Sequence, residues 1–536
     1  MGIHKLPEEM LVRIFCALRD MHIALRSLRW IAVTHVCRSW RLVALDAAEL
    51  WTYIYSMKLD CLQTFIMRSK QAPLDILYHK NSVHQELDYQ DLDLLLAHSH
   101  RLRDVDILVS EAARRFCFHP FAQGAALIRS LTLSLGNTPL DPNIIPQIYF
   151  QELPQLRYLT LIRFPIAIPD APRGLLNPSL RSLYITAPCP PLLVSKWISL
   201  LTELPLLESL SLCMALSFGH AQLEQPSVHL PRLTFMEITD MAPVDEMIAL
   251  LERIVPAENI RIRFIQYSEP ASDPQFGQCL KAVSEKLTNR HYEAACNQPT
   301  FLRLGVSGGQ TGSNDLEIML WTPSSGIGGT CNCHEHVPFP ILHLKLLLRT
   351  SLEEACRRVC DMLCKILSLG SAKTLHLCSL IDFAHQSEPG TAKLPDAFMD
   401  LLLQMPNISA FFINAKYLNP GLFEVLGGPA TQALTAGSVE GPRFLPLPSL
   451  QRLVIEQDFY KDTLNLEAVR RLLLSRQELG LSISHLHIKR GSAIELEKLE
   501  DSLIPLTMLG CQVDYCLPQS DNFYLEQEHV YVSMVQ

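Results

Sequence analysis

The sequence predicts an α/β chain: a small N-terminal helical unit, then a curved repeat with an inner parallel sheet and outer helices. Three patterns carry that expectation. After residue 120, "LIRSLTLSL", "LPQLRYLTLIRF", "NPSLRSLYI", "LPLLESLSL" and "LPRLTFMEI" recur, most opening on P-x-L and all closing on alternating apolar residues. Alternation with period two marks strands with one buried face. Helical patterns such as "LLVSKWISLLTEL" and "VDEMIALLERIV" lie between them. The turn prolines Pro154, Pro178, Pro205 and Pro231 stand 24, 27 and 26 residues apart. One strand and one helix per unit of this length close no core alone, so neighbouring units must stack.

The N-terminal unit has a different character. Pro7 suits the first turn of a helix, where its missing N–H goes unused. Glu8 and Glu9 then favour the positive helix end. Met10, Leu11, Ile14, Phe15 and Leu18 recur at helical spacing, and a second stripe runs Val33, Val36, Cys37, Trp40 and Ala44. Helices this short have too little core to be stable alone. They must bury their remaining apolar face on the rest of the chain or on a partner.

Composition bounds the function. The chain has 536 residues, 48% of them apolar and 19% charged, which is a globular composition. A net charge of −9 with no long Lys or Arg run argues against nucleic acid, whose phosphates need a basic face. No apolar run approaches the roughly 20 residues that span a bilayer, so no membrane is expected. The N-terminus "MGIHKLPEEM" lacks the apolar core of a signal peptide. The 16 cysteines sit mostly in apolar periodic segments, as reduced thiols do in a cytoplasmic or nuclear protein.

"LPEEMLVRIF" followed by "VCRSWRLVALDAAELW" resembles an F-box, and in particular the variants of mushroom-forming fungi. The shared features are the LP start, the E-x-L-x-x-I-F helix, the V-C-x-x-W helix and the closing L-W. The resemblance implies docking on the Skp-type adaptor of a cullin–RING ubiquitin ligase, with the rest of the chain presenting a protein substrate. Carried over by position, the adaptor-facing residues are Leu6, Pro7, Met10, Ile14, Val36 and Cys37. Phe15, Trp40 and Trp51 pack the module. The segment between the two halves, "CALRDMHIALRSLRW", is longer than the usual pattern.

The repeat spacing falls within the range of about 20–29 residues seen in leucine-rich repeats, which the rest of the chain resembles. It resumes in "AKTLHLCSLI", "MPNISAFFIN", "LPSLQRLVIEQDF" and "ISHLHIKRG". No Asn recurs at the ladder position, so the turn carbonyls must be satisfied otherwise. The expected organisation is an F-box at 1–55, a linker or early irregular repeats at 56–120, and repeats at 121–267. An inserted hairpin and loop at 268–345 precede further repeats with a C-terminal cap at 346–536. The hairpin is read from "FLRLGVSGGQTGSNDLEIMLW", two strand patterns around a Gly/Ser/Asn turn.

Four constellations bear on chemistry. "CNCHEH" brings Cys331, Cys333, His334 and His336 together, but its spacing is not that of finger sites, and a polar loop tip is the favoured reading. "GVSGG" spells a nucleophile elbow around Ser307, which requires a strand before it and a helix after it. The following sequence reads as a turn and a strand. Cys356, Cys360 and Cys364 fall on one helix face, where three ligands on successive turns span about 12 Å, so a small buried face is favoured. Phe411, Phe412, Phe459 and Tyr460 are either core residues or anchors on the sheet face. No cofactor is expected and the chain is not read as an enzyme. The leading expectation is a ligase substrate adaptor. The alternatives are a leucine-rich-repeat scaffold without ligase function, and an esterase-like hydrolase using Ser307.

Overall fold

The computed structural model describes residues 6–23, 27–55, 57–79, 90–108, 125–134, 153–164, 175–188, 190–217, 226–257, 260–267, 273–288, 301–308, 314–321, 342–348, 372–378, 396–415, 420–427, 446–457, 466–490 and 511–516, with positions 219, 357, 360, 361 and 363. They form two compact units, Met1–Ala242 with Ala249–Ala257, and Pro243–Ile248 with Glu258–Gln536.

The first unit opens with helices α1 (Glu8–Ile23) and α2 (Arg38–Asp46), separated by a 3-10 helix at Arg29–His35. A second 3-10 turn, Ala48–Trp51, leads directly into strand β1 (Tyr53–Tyr55). Helix α3 (Leu59–Arg68), β2 (Leu74–Tyr78), helix α4 (Gln90–Leu96) and β3 (Leu102–Ile107) follow. Then come β4 (Ser130–Ser134), β5 (Tyr158–Ile162), β6 (Ser182–Thr186), helix α5 (Val194–Thr202), β7 (Ser209–Cys213), β8 (Val228–Leu230) and β9 (Phe235–Asp240). Helix α6 (Val244–Arg253) contributes to both units, and β10 (Ile254–Pro256) pairs with β8. Strands β1 to β7 and β9 lie side by side, all parallel.

In-register pairing stacks identical positions into columns. Leu131, Leu159, Leu183, Leu210 and Met236 form one buried column, and Leu133, Leu161, Ile185, Leu212 and Ile238 the next. Thr132, Thr160, Tyr184, Ser211 and Glu237 alternate with them and face the other way. The P-x-L signal is a β-turn. In Leu153–Leu156, Leu204–Leu207 and Leu230–Leu233 the fourth N–H donates to the first carbonyl at 3.0, 3.2 and 3.0 Å. Proline occupies the second position, where its fixed φ suits the turn. Both leucines of each turn are buried.

The missing asparagine is replaced mainly by backbone. Asn177 acts as a ladder residue, donating to the Leu153 carbonyl at 2.8 Å. At the far ends of three strands a non-glycine residue adopts left-handed φ: Arg163 at 55°, Ala187 at 46° and Met214 at 47°. Each sends its N–H to a carbonyl at the end of the next strand, that of Thr186, Cys213 and Thr239, at 2.7 Å. The geometry disfavours a Cβ. Ala187→Gly should therefore stabilise the chain by about 1 kcal/mol. A higher urea midpoint would agree, and an unchanged or lower one would contradict it.

Residues 56–120, expected as a linker or early irregular repeats, supply β2 and β3 to this same sheet. The sheet thus starts inside the N-terminal module, with no spacer between them. Arg101, 4% exposed, holds the loop after α3 by donating to the Ala72 carbonyl and the Ser69 hydroxyl.

The second unit holds β11 (Arg261–Gln266), α7 (Asp273–Thr288), β12 (Phe301–Gly308), β13 (Asn314–Trp321), β14 (Leu342–Leu348) and β15 (Thr374–Cys378). It continues with α8 (Asp396–Leu403), β16 (Ala410–Ala415), α9 (Pro420–Gly427), β17 (Arg452–Gln457), α10 (Leu466–Glu478), β18 (His485–Arg490) and β19 (Gln512–Cys516). β15 to β19 pair in parallel order. β12, β13 and β14 form an antiparallel excursion, and β11 and β15 join its flanks in parallel. Helix α9 packs closely on α10: a Cβ at Gly427 would stand 3.3 Å from the Leu472 Cα. Arg476, fully buried, donates to the carbonyls of Leu426, Pro446, Leu447 and Leu481, and burial lowers its pKa to about 10.

Candidate functional site

Helix α1 is apolar on two sides. Leu11 and Phe15 point inward, 4% and 1% exposed. Met10 and Ile14, one turn apart on another side, are 44% and 41% exposed, and Leu6 just ahead of the helix is 36% exposed. Val36 is 59% exposed at the entry to α2. Leu42 on α2 is exposed as well, a position the sequence analysis did not single out. Pro7 is exposed, and its carbonyl accepts from the N–H groups of Met10 and Leu11.

The stripe Val33, Val36, Cys37, Trp40 and Ala44 is not one continuous helix. The 3-10 helix ends at His35, and Cys37 caps α2, its Sγ accepting from the Trp40 N–H at 3.5 Å. The break turns Val33 inward and leaves Val36 outside. The long segment "CALRDMHIALRSLRW" is partly helical: Cys16–Ile23 extends α1.

Behind this surface lies an aromatic core. Phe15 and Trp40 stand 5.1 Å apart, ring to ring, and Trp40 is half-buried. The Trp40 indole N–H has no hydrogen-bond partner among the described residues. Trp51 is fully buried and donates its indole N–H to the Ala44 carbonyl at 2.8 Å. Trp30, Trp51 and Phe65 meet edge to face at 5.3, 6.0 and 5.1 Å, the favoured aromatic geometry. The Arg68 guanidinium lies 4.4 Å from the Trp51 ring centre. Trp30, Phe65 and Arg68 are functional neighbours that sequence reasoning missed. The last two lie on α3, so this helix anchors the module to the sheet. Lys70 adds an exposed clamp on Asp46, 2.7 Å to the carboxylate and 3.0 Å to the carbonyl, which holds that carboxyl below its usual range.

The remaining candidate groups do not assemble a reactive centre. Ser307 lies in β12 opposite Asp315, and the next described element is strand β13 rather than the helix that an elbow requires. Cys360 is buried; Cys356 and Cys364 lie outside the described residues, as do Cys331, Cys333, His334, His336, Phe459 and Tyr460. Phe411 is buried in the core, while Phe412 is half-buried with its ring 5.7 Å from that of His376. Among the described residues no group of three or more His, Cys, Asp or Glu is arranged to hold a metal ion. Burial pushes the Cys16 thiol up, and Cys279 to about 12, so neither is a ready thiolate.

Residues 3–57 match the F-box-like family. No curated protein sequence matches the chain. The helices, the caps and the aromatic core described above all fall within or directly against that match, and the chain carries an N-terminal F-box-like domain.

Proposed function

We propose that this protein is the substrate-recognition subunit of a cullin–RING ubiquitin ligase of the Skp–cullin–F-box type. The observation that carries the reading is the two-sided apolarity of α1. Its Leu11/Phe15 side is sealed by the chain, while Leu6, Met10, Ile14 and Val36 stay exposed, as apolar groups at interaction surfaces do. Burying such side chains on a partner contributes about 1.5–3 kcal/mol each when complete. Leu6, Pro7, Met10, Ile14, Val36 and Cys37 are the adaptor-facing set in this proposal; Phe15, Trp40 and Trp51 hold them in place.

The remainder is read as irregular leucine-rich repeats. The Leu-Pro-x-Leu turns, the recurring parallel strands and the buried leucine columns support that reading. The open face of the sheet is the proposed substrate surface, in the cytoplasm or nucleus. The protein does no bond chemistry here. It holds a substrate near the transferred ubiquitin, and proximity converts an encounter in solution into a local event. Because β1 belongs to both module and sheet, and Phe65 and Arg68 brace Trp51, that proximity is set by a stiff joint.

The test is co-purification with a Skp-type adaptor and its cullin. Wild type should capture both, and Leu6→Asp with Pro7→Ala should lose them while keeping its secondary structure. Capture by the double variant would refute the docking surface. Failure of wild type to capture any adaptor would favour the scaffold without ligase function.

A further inference from the structure

The edge of the sheet where the strands begin carries a column of like charges. An unbroken chain of backbone hydrogen bonds links them: the Arg129 N–H donates to the Arg103 carbonyl (2.8 Å), Arg157 to Arg129 (2.9 Å), Arg181 to Arg157 (2.8 Å) and Glu208 to Arg181 (2.7 Å). Four arginines therefore occupy the same register position on β3 and just ahead of β4, β5 and β6, about 4.8 Å apart from one strand to the next.

The chain itself fills the two ends of this column, and with one chemistry. The Arg103 guanidinium makes a two-point contact with Asp75, Nε to Oδ1 at 2.9 Å and a terminal nitrogen to Oδ2 at 2.6 Å, and its Nε lies 3.4 Å from Asp104. Arg181 meets the Glu208 carboxylate at 3.2 Å. Arg129 and Arg157, between them, are exposed, and their guanidinium groups have no ion pair or hydrogen bond among the described residues. Tyr158, adjacent to Arg157, is exposed too. Two cations on neighbouring strands repel each other, and an anionic group placed against both relieves the repulsion. Long-range attraction for acidic molecules is not a property of this chain as a whole, whose net charge is −9. The stripe is a local departure from that overall charge.

We propose that Arg129 and Arg157 bind a carboxylate-bearing, Asp/Glu-rich segment of the recruited protein. This rests on the reading of the sheet as a substrate surface. The end pairs show the chemistry: each guanidinium on this column meets a carboxylate, Arg103 by a two-point fork and Arg181 by a single contact, and for the central pair the carboxylates are supplied in trans.

The experiment is fluorescence anisotropy on the full chain with a fluorescein-labelled peptide of alternating Glu and Ser, its Gln counterpart, and its phosphoserine counterpart in which Gln replaces Glu. The Glu peptide should bind, weaken as salt is raised, and lose about tenfold or more in affinity to Arg129→Gln with Arg157→Gln. Arg129→Glu with Arg157→Glu should lose it further and gain binding to a Lys/Ser peptide. Equal binding of Glu and Gln peptides, or an affinity indifferent to both double variants, would overturn the proposal. Binding confined to the phosphoserine peptide would overturn the carboxylate assignment. Adaptor capture by both double variants should equal that of wild type. A chain that captures adaptor but ignores the Glu peptide sinks this inference and leaves the ligase reading standing. A chain that binds the peptide but never adaptor does the reverse.

Discussion

Trp51→Ala is expected to cost about 3–5 kcal/mol of local stability, the usual range for truncating a fully buried tryptophan. Three losses act at once. Trp30 and Phe65 are left edge-on to a void, the Ala44 carbonyl loses its indole donor, and Arg68 loses the ring it covers. The consequence should spread beyond the cavity, since Trp51 is the residue through which the last turn of the F-box-like domain meets α3 and enters β1. Hydrogen exchange would read this directly. Amides of α2 and α3 should exchange on the order of a hundredfold faster or more in the variant, while those of β5 to β7 keep their protection. A change confined to residues 48–52, or a cost below about 1 kcal/mol, would contradict the role given to this ring.

Asp240→Ala is expected to have a comparable effect by a different route. This carboxylate, 2% exposed, accepts four backbone N–H groups: Ala215 and Leu216 at 2.7 and 2.9 Å on one oxygen, Met241 and Ala242 at 2.7 and 2.8 Å on the other. It thereby ties the turn after β7 to the turn after β9. Alanine leaves those donors without an acceptor, and at about 1–3 kcal/mol for each buried group left unsatisfied, a loss of roughly 3–5 kcal/mol remains after partial rehydration. The pH dependence has a definite sign. Burial pushes the Asp240 carboxyl above its ordinary value, against the four N–H bonds that pull it down. A folded-state pKa above the unfolded one makes the contribution greatest below about pH 4 and smaller as pH rises through the folded value. Urea midpoints should therefore show a wider gap between wild type and Asp240→Ala at pH 4 than at pH 7. A gap that widens with pH would show that the hydrogen bonds, rather than desolvation, dominate this site.

Much of the fold was legible because it is written in short-range patterns. Leu131, Leu133, Leu159 and Leu161 alternate within their own strands, and Pro154, Pro205 and Pro231 mark turns that close within four residues. What stayed hidden depends on contacts between distant residues or on conformations the residue type does not announce. Nothing in the identity of Arg163, Ala187 or Met214 signals a left-handed backbone; the next strand imposes it. Arg476 looks like an ordinary helix-surface charge, yet its carbonyl partner Leu426 lies 50 residues earlier. The stripe through Cys37 read as one helix because 3-10 and α spacing differ too little over so few residues. The exposed Met10 and Ile14 share their periodicity with Leu11 and Phe15, and only packing tells the open side of that helix from the sealed one. The arginine column was invisible in sequence, since its members are spaced by the repeat and not by any local motif.

The central claim is that the open side of α1, continued by Val36, is a binding surface for a Skp-type adaptor. Calorimetric titration of purified adaptor into the full chain tests it most directly, with wild type compared to Ile14→Asp combined with Val36→Asp. Both positions are exposed in the free chain, so the double variant should unfold at the same urea concentration as wild type. The account predicts saturable binding by wild type and a loss of about a hundredfold or more in the variant, the effect of two charges placed in an apolar contact. Binding of equal strength by the two proteins would contradict it.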